Sequence, residues 1–264
     1  MFYHDLLMSF FQEIGEEKGI VFQKNLPAVE PVYGELKSPI HWRLEEILKK
    51  GNLTRFYSHQ VDAINAIREG KHIVISTRTA SGKSLCYNLP VIESIMGNTS
   101  NKALYIFPSK ALAQNQAARL EKYNYAFYYG DFNYGIYDGD THEETRRKLR
   151  KNAGIIITTP DMVHIGILPN HEKWKHFFQN LKFVVLDELH TYRGIFGSNI
   201  AHLLRRFRRI CHHYGSNPQF ICSSATIANP VELAKELTLL DFELIGESGA
   251  PSGEKTFLFW EPAQ

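Results

Sequence analysis

The sequence is poor in the features that mark disulfide-rich, metal-bound or membrane-spanning proteins. Its 264 residues include only three cysteines, which lie far apart and follow no metal-ligand spacing. We therefore expect Cys86, Cys211 and Cys222 to be reduced, structural thiols of a cytoplasmic protein, nucleoid-associated if the source is bacterial. No segment reaches the roughly 18 consecutive apolar residues of a spanning helix, and the acidic opening stretch does not favour a secretory signal. We expect no membrane partner.

A strong excess of charge of one sign is also missing. The formal net charge is +2, so composition alone does not indicate nucleic-acid binding. Two basic clusters nevertheless stand out, at residues 146–151 and 205–209. For each cluster taken alone the ordinary interpretation is a solvated helix face, and neither is assigned to a site.

Short apolar runs alternate with amphipathic stretches along most of the chain. With 44% hydrophobic and 22% charged residues, the composition is typical of a soluble globular domain. The alternation favours an α/β fold, with a mostly parallel central sheet and helices on both faces. Helices are predicted at 40–50, 85–96 and 198–214. Strands are predicted at 72–77, 103–108, 154–159, 183–187, 220–224, 242–245 and 257–260.

The first chemical signal is a phosphate-binding loop. Residues 77–84 have the sequence Thr-Arg-Thr-Ala-Ser-Gly-Lys-Ser, directly after a predicted strand and before a predicted helix. A loop with Gly-Lys-Ser at such a turn cradles phosphates with its backbone N–H groups and the helix N-terminus. Lys83 is expected to reach the β- and γ-phosphates of ATP, and the Ser84 hydroxyl to bind Mg²⁺. The loop residues predicted to bind nucleotide are Thr79, Ala80, Ser81, Gly82, Lys83 and Ser84.

The second signal is a pair of carboxylates at the end of the predicted strand 183–187. Parallel sheets place ligands at the carboxyl ends of their strands. Asp187 is expected to hold Mg²⁺, and Glu188 to orient and deprotonate the attacking water. His190 is expected to link the nucleotide site to the segment that follows. Solvated acids capping a strand are the alternative, and the phosphate-binding loop upstream makes it the weaker one.

A third segment, Ser224-Ala225-Thr226, ends the predicted strand 220–224. Its hydroxyl groups could hydrogen-bond the acidic strand end and relay the state of the nucleotide site. On its own the tripeptide would indicate no more than a turn.

The order Gly-Lys-Ser, Asp-Glu-Leu-His, Ser-Ala-Thr resembles motifs I, II and III of superfamily 2 helicases of the DExH type. Longer strings at 57–60, 79–90, 137–141 and 187–198 are similar to the RecQ-like Hrq and mitomycin-repair-factor helicases. That group commonly has Ala80 where many helicases have glycine. The resemblance implies a RecA-like P-loop NTPase domain that hydrolyses ATP and unwinds DNA.

The resemblance also implies further site residues. Gln60, together with Tyr57, would bind the adenine, and an amide can pair with the adenine edge through two hydrogen bonds. Residues at the positions of motifs Ia and Ib would contact the phosphates of single-stranded DNA or a DNA fork without reading sequence. The implied nucleic-acid contacts are Ser109 and Lys110 of motif Ia, Thr158 and Thr159 of motif Ib, and, from the separate string at 137–141, Asp140 and Thr141.

The predicted organisation has three parts: a lead-in at 1–52, a RecA-like ATP-binding domain at 53–246, and at 247–264 a linker with the first strand of a second RecA-like domain. No candidates for motifs IV to VI are present, so we expect ATP·Mg²⁺ binding with weak turnover by this chain alone. Two alternatives stay open, namely a non-enzymatic nucleotide-binding fragment and the motor domain of an RNA helicase. No single residue excludes RNA.

Overall fold

The computed structural model describes residues 9, 20–126 and 133–260. Their contacts divide the chain into a larger unit, Tyr33–Gly249, and a smaller one made of the segments before and after it. In the smaller unit, β1 (Ile20–Leu26) pairs antiparallel with β11 (Lys255–Trp260). The predicted strand at 257–260 is therefore present, and its partner strand was not predicted.

A seven-stranded sheet forms the centre of the larger unit, and every neighbouring pair in it is parallel. The strand order across the sheet is β10-β4-β9-β8-β5-β7-β6. A separate two-stranded ribbon is formed by β2 (Tyr33–Gly34) and β3 (Phe56–Tyr57). The sheet strands are β4 (Ile73–Ser76), β5 (Lys102–Ile106), β6 (Tyr134–Ile136), β7 (Ile155–Thr158), β8 (Leu181–Leu186), β9 (Gln219–Ser224) and β10 (Glu243–Ile245).

Helices connect these strands and cover the sheet. The segment after β7 is irregular, passing through a π-helical turn (Val163–Ile167) and a 3-10 helix (Leu168–Trp174). Shorter 3-10 helices lie at Lys122–Ala126 and Leu189–Thr191. The α-helices are α1 (Trp42–Lys50), α2 (Ser58–Arg68), α3 (Lys83–Gly97), α4 (Lys110–Glu121), α5 (Glu143–Asn152), α6 (Pro160–Met162), α7 (Lys175–Gln179), α8 (Gly194–His213) and α9 (Pro230–Thr238).

The central strands are buried on both faces because their side chains alternate between two cores. In β4, Ile73 and Ile75 join the core covered by α1 to α4, whereas Val74 joins the core covered by α6 to α9. Both faces of such a strand must be apolar, which explains its continuous Ile-Val-Ile sequence. The predicted α/β fold with helices on both faces is confirmed.

Each predicted sheet strand corresponds to an observed one within a few residues, but β6 was not predicted. This strand has three residues, with Gly135 in the middle, and a Cβ at Gly135 would collide with the Leu149 side chain. A short strand with a central glycine has almost no period-2 signal. All three cysteines are buried and free. Among the described residues, no helix is long and apolar enough to cross a bilayer.

Candidate functional site

The sheet topology brings the three predicted chemical segments to one edge. The phosphate-binding loop follows β4, the Asp-Glu pair follows β8, and Ser224 ends β9, which lies between those two strands. Since all three strands are parallel, their carboxyl ends meet at the same edge of the sheet. The predicted nucleotide-binding, metal-binding and coupling residues thus come from neighbouring strands.

The phosphate-binding loop folds tightly around the Lys83 ammonium. Lys83 Nζ donates to the carbonyls of Thr77 and Arg78 at 2.8 and 2.9 Å. Burial lowers the Lys83 pKa, while the nearby Glu188 and Asp187 carboxylates act in the opposite direction. A half-buried cation held only by carbonyls is well placed to exchange them for phosphate oxygens.

Two loop residues have left-handed backbone conformations. Gly82 has φ +84°, and Ala80 has φ +62°. A Cβ makes this region costly by about 1–2 kcal/mol, which explains why many helicases have glycine at the position of Ala80. Elsewhere in the loop, the hydroxyls of Thr77 and Ser81 are 2.7 Å apart and both side chains are buried.

The predicted adenine-binding residues pack directly against this loop. Gln60 is buried; its Oε1 accepts from the Tyr57 N–H at 3.0 Å and its Nε2 donates to the Gly82 carbonyl at 3.5 Å. A Cβ at position 82 would collide with the Gln60 amide, so glycine is required there. The Tyr57 ring stacks on Tyr33 and on His59, with centroid distances of 5.4 and 6.0 Å. Binding of adenine by Gln60 stays a prediction; each amide atom has capacity for a second hydrogen bond, since the oxygen has two lone pairs and the nitrogen two hydrogens.

The two predicted catalytic carboxylates are held in different ways. Asp187 accepts from the Glu188 N–H at 2.9 Å and from the Tyr87 hydroxyl at 3.2 Å. Glu188 has a left-handed backbone, φ +54° and ψ +45°, which is rare for a residue with a side chain and is typical of functional sites. Burial, and then the neighbouring Asp187 charge, raise the Glu188 pKa above its usual value.

His190 connects the acidic strand end to the third segment. Its Nδ1 accepts from the Ala225 N–H at 3.3 Å, and it lies 3.5 Å from Ser224 Oγ and 3.4 Å from Glu188 Oε2. The ring nitrogen that faces the third segment is thus also the one nearest the Glu188 carboxylate. Ser224 and Ala225 thus make the kind of contact expected of coupling residues, whereas Thr226 is exposed and its coupling role stays a prediction.

Helix α4 contributes residues to the nucleotide site that were not predicted. Arg119 donates to Ser84 Oγ at 2.7 Å. The Tyr87 hydroxyl lies 3.4 Å from the Gln116 Oε1, in addition to its contact with Asp187. Both predicted magnesium-binding residues are therefore oriented by a second layer of side chains. In the sequence, Gln116 and Arg119 are ordinary helical polar residues, and only the packing of α4 on α3 makes them part of the site.

His59 was also not assigned a role from the sequence. It is completely buried, its Nε2 lies 3.0 Å from the Ser81 carbonyl, and its Nδ1 accepts from the Gly249 N–H at 3.2 Å. Burial lowers the His59 pKa, which favours the neutral ring that this pair of hydrogen bonds requires. The imidazole thereby ties the phosphate-binding loop to the last residue of the larger unit.

The predicted nucleic-acid contacts are not equally available. Thr158 is completely buried and its hydroxyl donates to the Tyr137 carbonyl at 2.7 Å, so a hydroxyl contact with a phosphate is not open to it. Thr159, the next residue, is only half-buried. The Thr141 hydroxyl donates to the Ile136 carbonyl and caps the Asp138 turn.

The other members of this set lie at the start of α4. Ser109 caps the helix by accepting from the Leu112 N–H at 3.4 Å. Lys110 forms an exposed ion pair with Asp140 at 2.7 Å. Both side chains of this pair are in contact with solvent, and such pairs exchange partners readily. The basic cluster at 146–151 is partly structural, because Arg146 donates to the carbonyls of Asp138 and Gly139.

The oxygen donors of this site fit a magnesium–nucleotide complex. Mg²⁺ is typically bound by one or two protein carboxylates together with water and substrate phosphates. Ser84 and Asp187 offer two oxygens, next to the cationic Lys83. Among the described residues no cluster of three or more His, Cys, Asp or Glu could hold a metal by itself. The site therefore suits a cation that arrives with phosphates better than a permanently bound one.

Comparisons with known proteins agree with this geometry. The DEAD/DEAH box helicase family matches residues 57–234. The uncharacterized ATP-dependent helicase YprA of Bacillus subtilis is 46% identical over 257 residues, covering 96% of this chain and 34% of its own length. The ATP-dependent helicase hrq1 of Schizosaccharomyces pombe is 42% identical over 240 residues, 89% of this chain and 23% of its own.

Solved structures give the same assignment. The DUF1998 helicase MrfA bound to DNA and AMPPNP superposes with a TM-score of 0.92 at 44% identity, covering 97% of this chain and 36% of that one. This chain thus spans about a third or less of the length of these proteins. The resemblance to the Hrq and mitomycin-repair-factor helicases is confirmed, and the RecA-like fold is confirmed with it. The chain belongs to the DEAD/DEAH box helicase family.

Proposed function

We propose that this chain is the ATP-binding part of a DNA helicase motor. The observation that carries the proposal is the convergence of Lys83, Ser84, Asp187 and Glu188 at one sheet edge. Packing does not require a half-buried ammonium, two adjacent carboxylates and a strained backbone to meet there. Phosphate binding and hydrolysis use the ammonium and the carboxylates, and a left-handed backbone such as that of Glu188 is typical of functional sites.

Each residue of this site has a distinct task in hydrolysis. Lys83 would bind the β- and γ-phosphates, and Ser84 and Asp187 would hold Mg²⁺. When bound, the metal would neutralise charge that develops on the transferred phosphoryl group. Glu188 would accept the proton of the attacking water, and its raised pKa brings it closer to the operating pH, as general-base catalysis requires. His190 would carry the state of Glu188 to Ser224 and Ala225.

DNA is the nucleic acid that the relatives favour. MrfA has been crystallised with DNA, and this chain shares 44% identity with it. Single-stranded DNA or a fork would cross the start of α4 and the turn after β7, where Lys110 and Thr159 are accessible. A second RecA-like domain would complete the cleft with its arginines. The family resemblance favours 3′ to 5′ movement, a role in DNA repair, and a cytoplasmic, nucleoid-associated location in a bacterium.

The decisive experiment is ATP hydrolysis by the protein as its cells make it, with and without single-stranded DNA. We expect DNA to stimulate hydrolysis and Lys83→Ala to abolish it. RNA of matched length serves as the second nucleic acid, because equal stimulation by RNA would favour an RNA motor. If neither polymer stimulates hydrolysis but ATP still binds, the protein is a nucleotide-binding module and not a motor.

A further inference from the structure

A groove separates α8 from the segment that begins with α6. Its cavity has a volume of about 560 Å³. One wall is formed by the start of α6 and the turn that follows it, and the other by one side of α8. Both helices pack on the same core, so the groove is a fixed feature of the larger unit. The lining includes Asp161, Phe196, His202, Arg206 and Arg209.

The α8 side of the groove is a continuous stripe of polar and aromatic side chains. Phe196, Asn199, His202, Arg206 and Arg209 follow one another at spacings of three or four residues, which places them on one face of a helix. From Phe196 to Arg209 this face is roughly 20 Å long, at 1.5 Å per residue. The stripe is therefore long enough for an extended polymer.

The lining of the groove carries a net positive charge. No carboxylate of the described residues forms an ion pair with Arg206 or Arg209, although arginines elsewhere in the chain, such as Arg68 and Arg150, have such partners. The lining contains one carboxylate, that of Asp161, and two guanidinium groups, those of Arg206 and Arg209. Arginine is suited to phosphate because its planar fork can donate two parallel hydrogen bonds.

The groove opens at the edge of the sheet where nucleic acid is expected. Pro160, in its lining, directly follows Thr159, and α8 begins shortly after the Asp187–His190 segment. Phe196, 40% exposed, lies near the start of α8 at this end. An accessible aromatic ring at one end of a groove, with arginines further along it, is the combination that binds unstacked bases and their backbone phosphates.

We propose that this groove is an additional binding site for single-stranded nucleic acid, continuing the path beyond Thr159. Arg206 and Arg209 bind backbone phosphates, and Phe196 stacks on a base at the entrance. The inference rests on the proposed function, since it extends the nucleic-acid site of the same motor. It assigns a role to part of the basic cluster 205–209; Arg208 of that cluster instead donates to the Thr238 carbonyl.

The test is equilibrium binding of a fluorescein-labelled oligo-dT to this chain, measured by anisotropy over a range of salt concentrations. The double variant Arg206→Ala/Arg209→Ala should bind more weakly. It should also lower the slope of log K against log salt by about 1.4, or about 0.7 for each phosphate that the protein no longer neutralises. Arg147→Ala/Lys148→Ala, on the exposed surface of α5, removes the same charge outside the groove and should retain most of the slope.

A substitution of opposite sign separates binding in the groove from a general effect of charge. Asp161→Asn removes the carboxylate from the lining and should strengthen binding, whereas Phe196→Ala should weaken it with little change in salt slope. Equal behaviour of the two double variants would overturn the proposal. So would preferential binding of an acidic peptide over oligo-dT at the groove. If the unsubstituted chain binds no oligo-dT at any salt concentration, the proposed function itself fails.

Discussion

The proposed nucleotide site and the proposed nucleic-acid surface hold their polar side chains in different ways. At the proposed nucleotide site the key side chains have partners within the protein, some of them from another segment, as Asp187 has Tyr87 and Ser84 has Arg119. At the nucleic-acid surface, the residues are either committed to the fold, as Thr158 is, or exposed to solvent, as Lys110 is. Chemistry on phosphate requires fixed geometry, whereas movement along a backbone requires contacts that exchange.

The largest expected effect lies at Glu188. Glu188→Gln keeps the size of the side chain but removes the base, so ATP hydrolysis should fall by about 10²–10⁴-fold. Nucleotide affinity should change little, because Lys83 and Ser84 are untouched. Steady-state ATPase assays and binding of a fluorescent ATP analogue measure the two quantities separately. Glu236→Gln, an exposed position on α9, is the matched control. A Glu188→Gln variant that retains hydrolysis would remove Glu188 from the mechanism.

The pH dependence of the same reaction provides a second test of Glu188. Its carboxylate must be ionised to act as a base, and burial together with Asp187 raises its pKa. As pH falls through this raised pKa, the base form disappears, so kcat/KM, which reports the free enzyme, should decline at a higher pH than an ordinary glutamate would give. The acidic limb of the pH–rate profile should be absent in Glu188→Gln. A limb at the usual pKa of glutamate would contradict the burial argument.

Much of the nucleotide site was predictable because its residues occur in short contiguous strings. Lys83 follows Gly82 in the loop, and Glu188 follows Asp187, so the short apolar run before each string placed both at the carboxyl ends of strands. Tyr87, Gln116 and Arg119 were not predictable. Their roles depend on how α3 packs against α4, and no local pattern encodes the contact between two helix faces.

The nucleic-acid surface was less predictable for the same reason. Family motifs drew attention to Thr158, but an apolar strand must bury its last side chains, and the Thr158 hydroxyl is used by the Tyr137 carbonyl. The groove beside α8 combines residues about 40 positions apart in the sequence, at spacings ordinary for any amphipathic helix. The sequence showed the basic cluster there, and only the fold shows which of its arginines face a cavity.

An intermediate effect is expected at Tyr87. Tyr87→Phe removes the hydroxyl that donates to Asp187, and removal of such a supporting hydrogen bond typically costs about 10–100-fold in metal affinity or activity. We expect the Mg²⁺ concentration needed for half-maximal ATPase to rise by about this factor. Tyr105→Phe is a close control, because the two rings are 5.5 Å apart and the buried Tyr105 hydroxyl has no partner among the described residues. Equal Mg²⁺ requirements in both variants would show that Tyr87 only fills space.

A smaller effect, on stability, is expected at Thr158. Thr158→Val conserves shape but leaves the Tyr137 carbonyl without its donor, which should lower the free energy of unfolding by about 1–3 kcal/mol. DNA affinity of the folded protein should stay the same, because the hydroxyl does not reach solvent. Urea unfolding and oligo-dT binding measure these quantities. Thr159→Val should show the converse, with weaker binding and nearly unchanged stability. Reduced affinity in Thr158→Val would restore Thr158 as a contact residue.

The smallest expected effect distinguishes two roles for the exposed pair of Lys110 and Asp140. In the structure the Asp140 carboxylate forms an ion pair with the Lys110 ammonium, so a phosphate that binds Lys110 must displace Asp140. Lys110→Ala should weaken oligo-dT binding a few-fold and lower the salt slope by about 0.7, the contribution of one phosphate contact on a single strand. Asp140→Asn should have the opposite sign, because it frees Lys110 and removes a negative charge from the path. Weaker binding by Asp140→Asn would instead make Asp140 a direct contact, as the family resemblance implies. The ion pair with Lys110 would then be part of the nucleic-acid-binding surface, and Asp140 would not compete with phosphate.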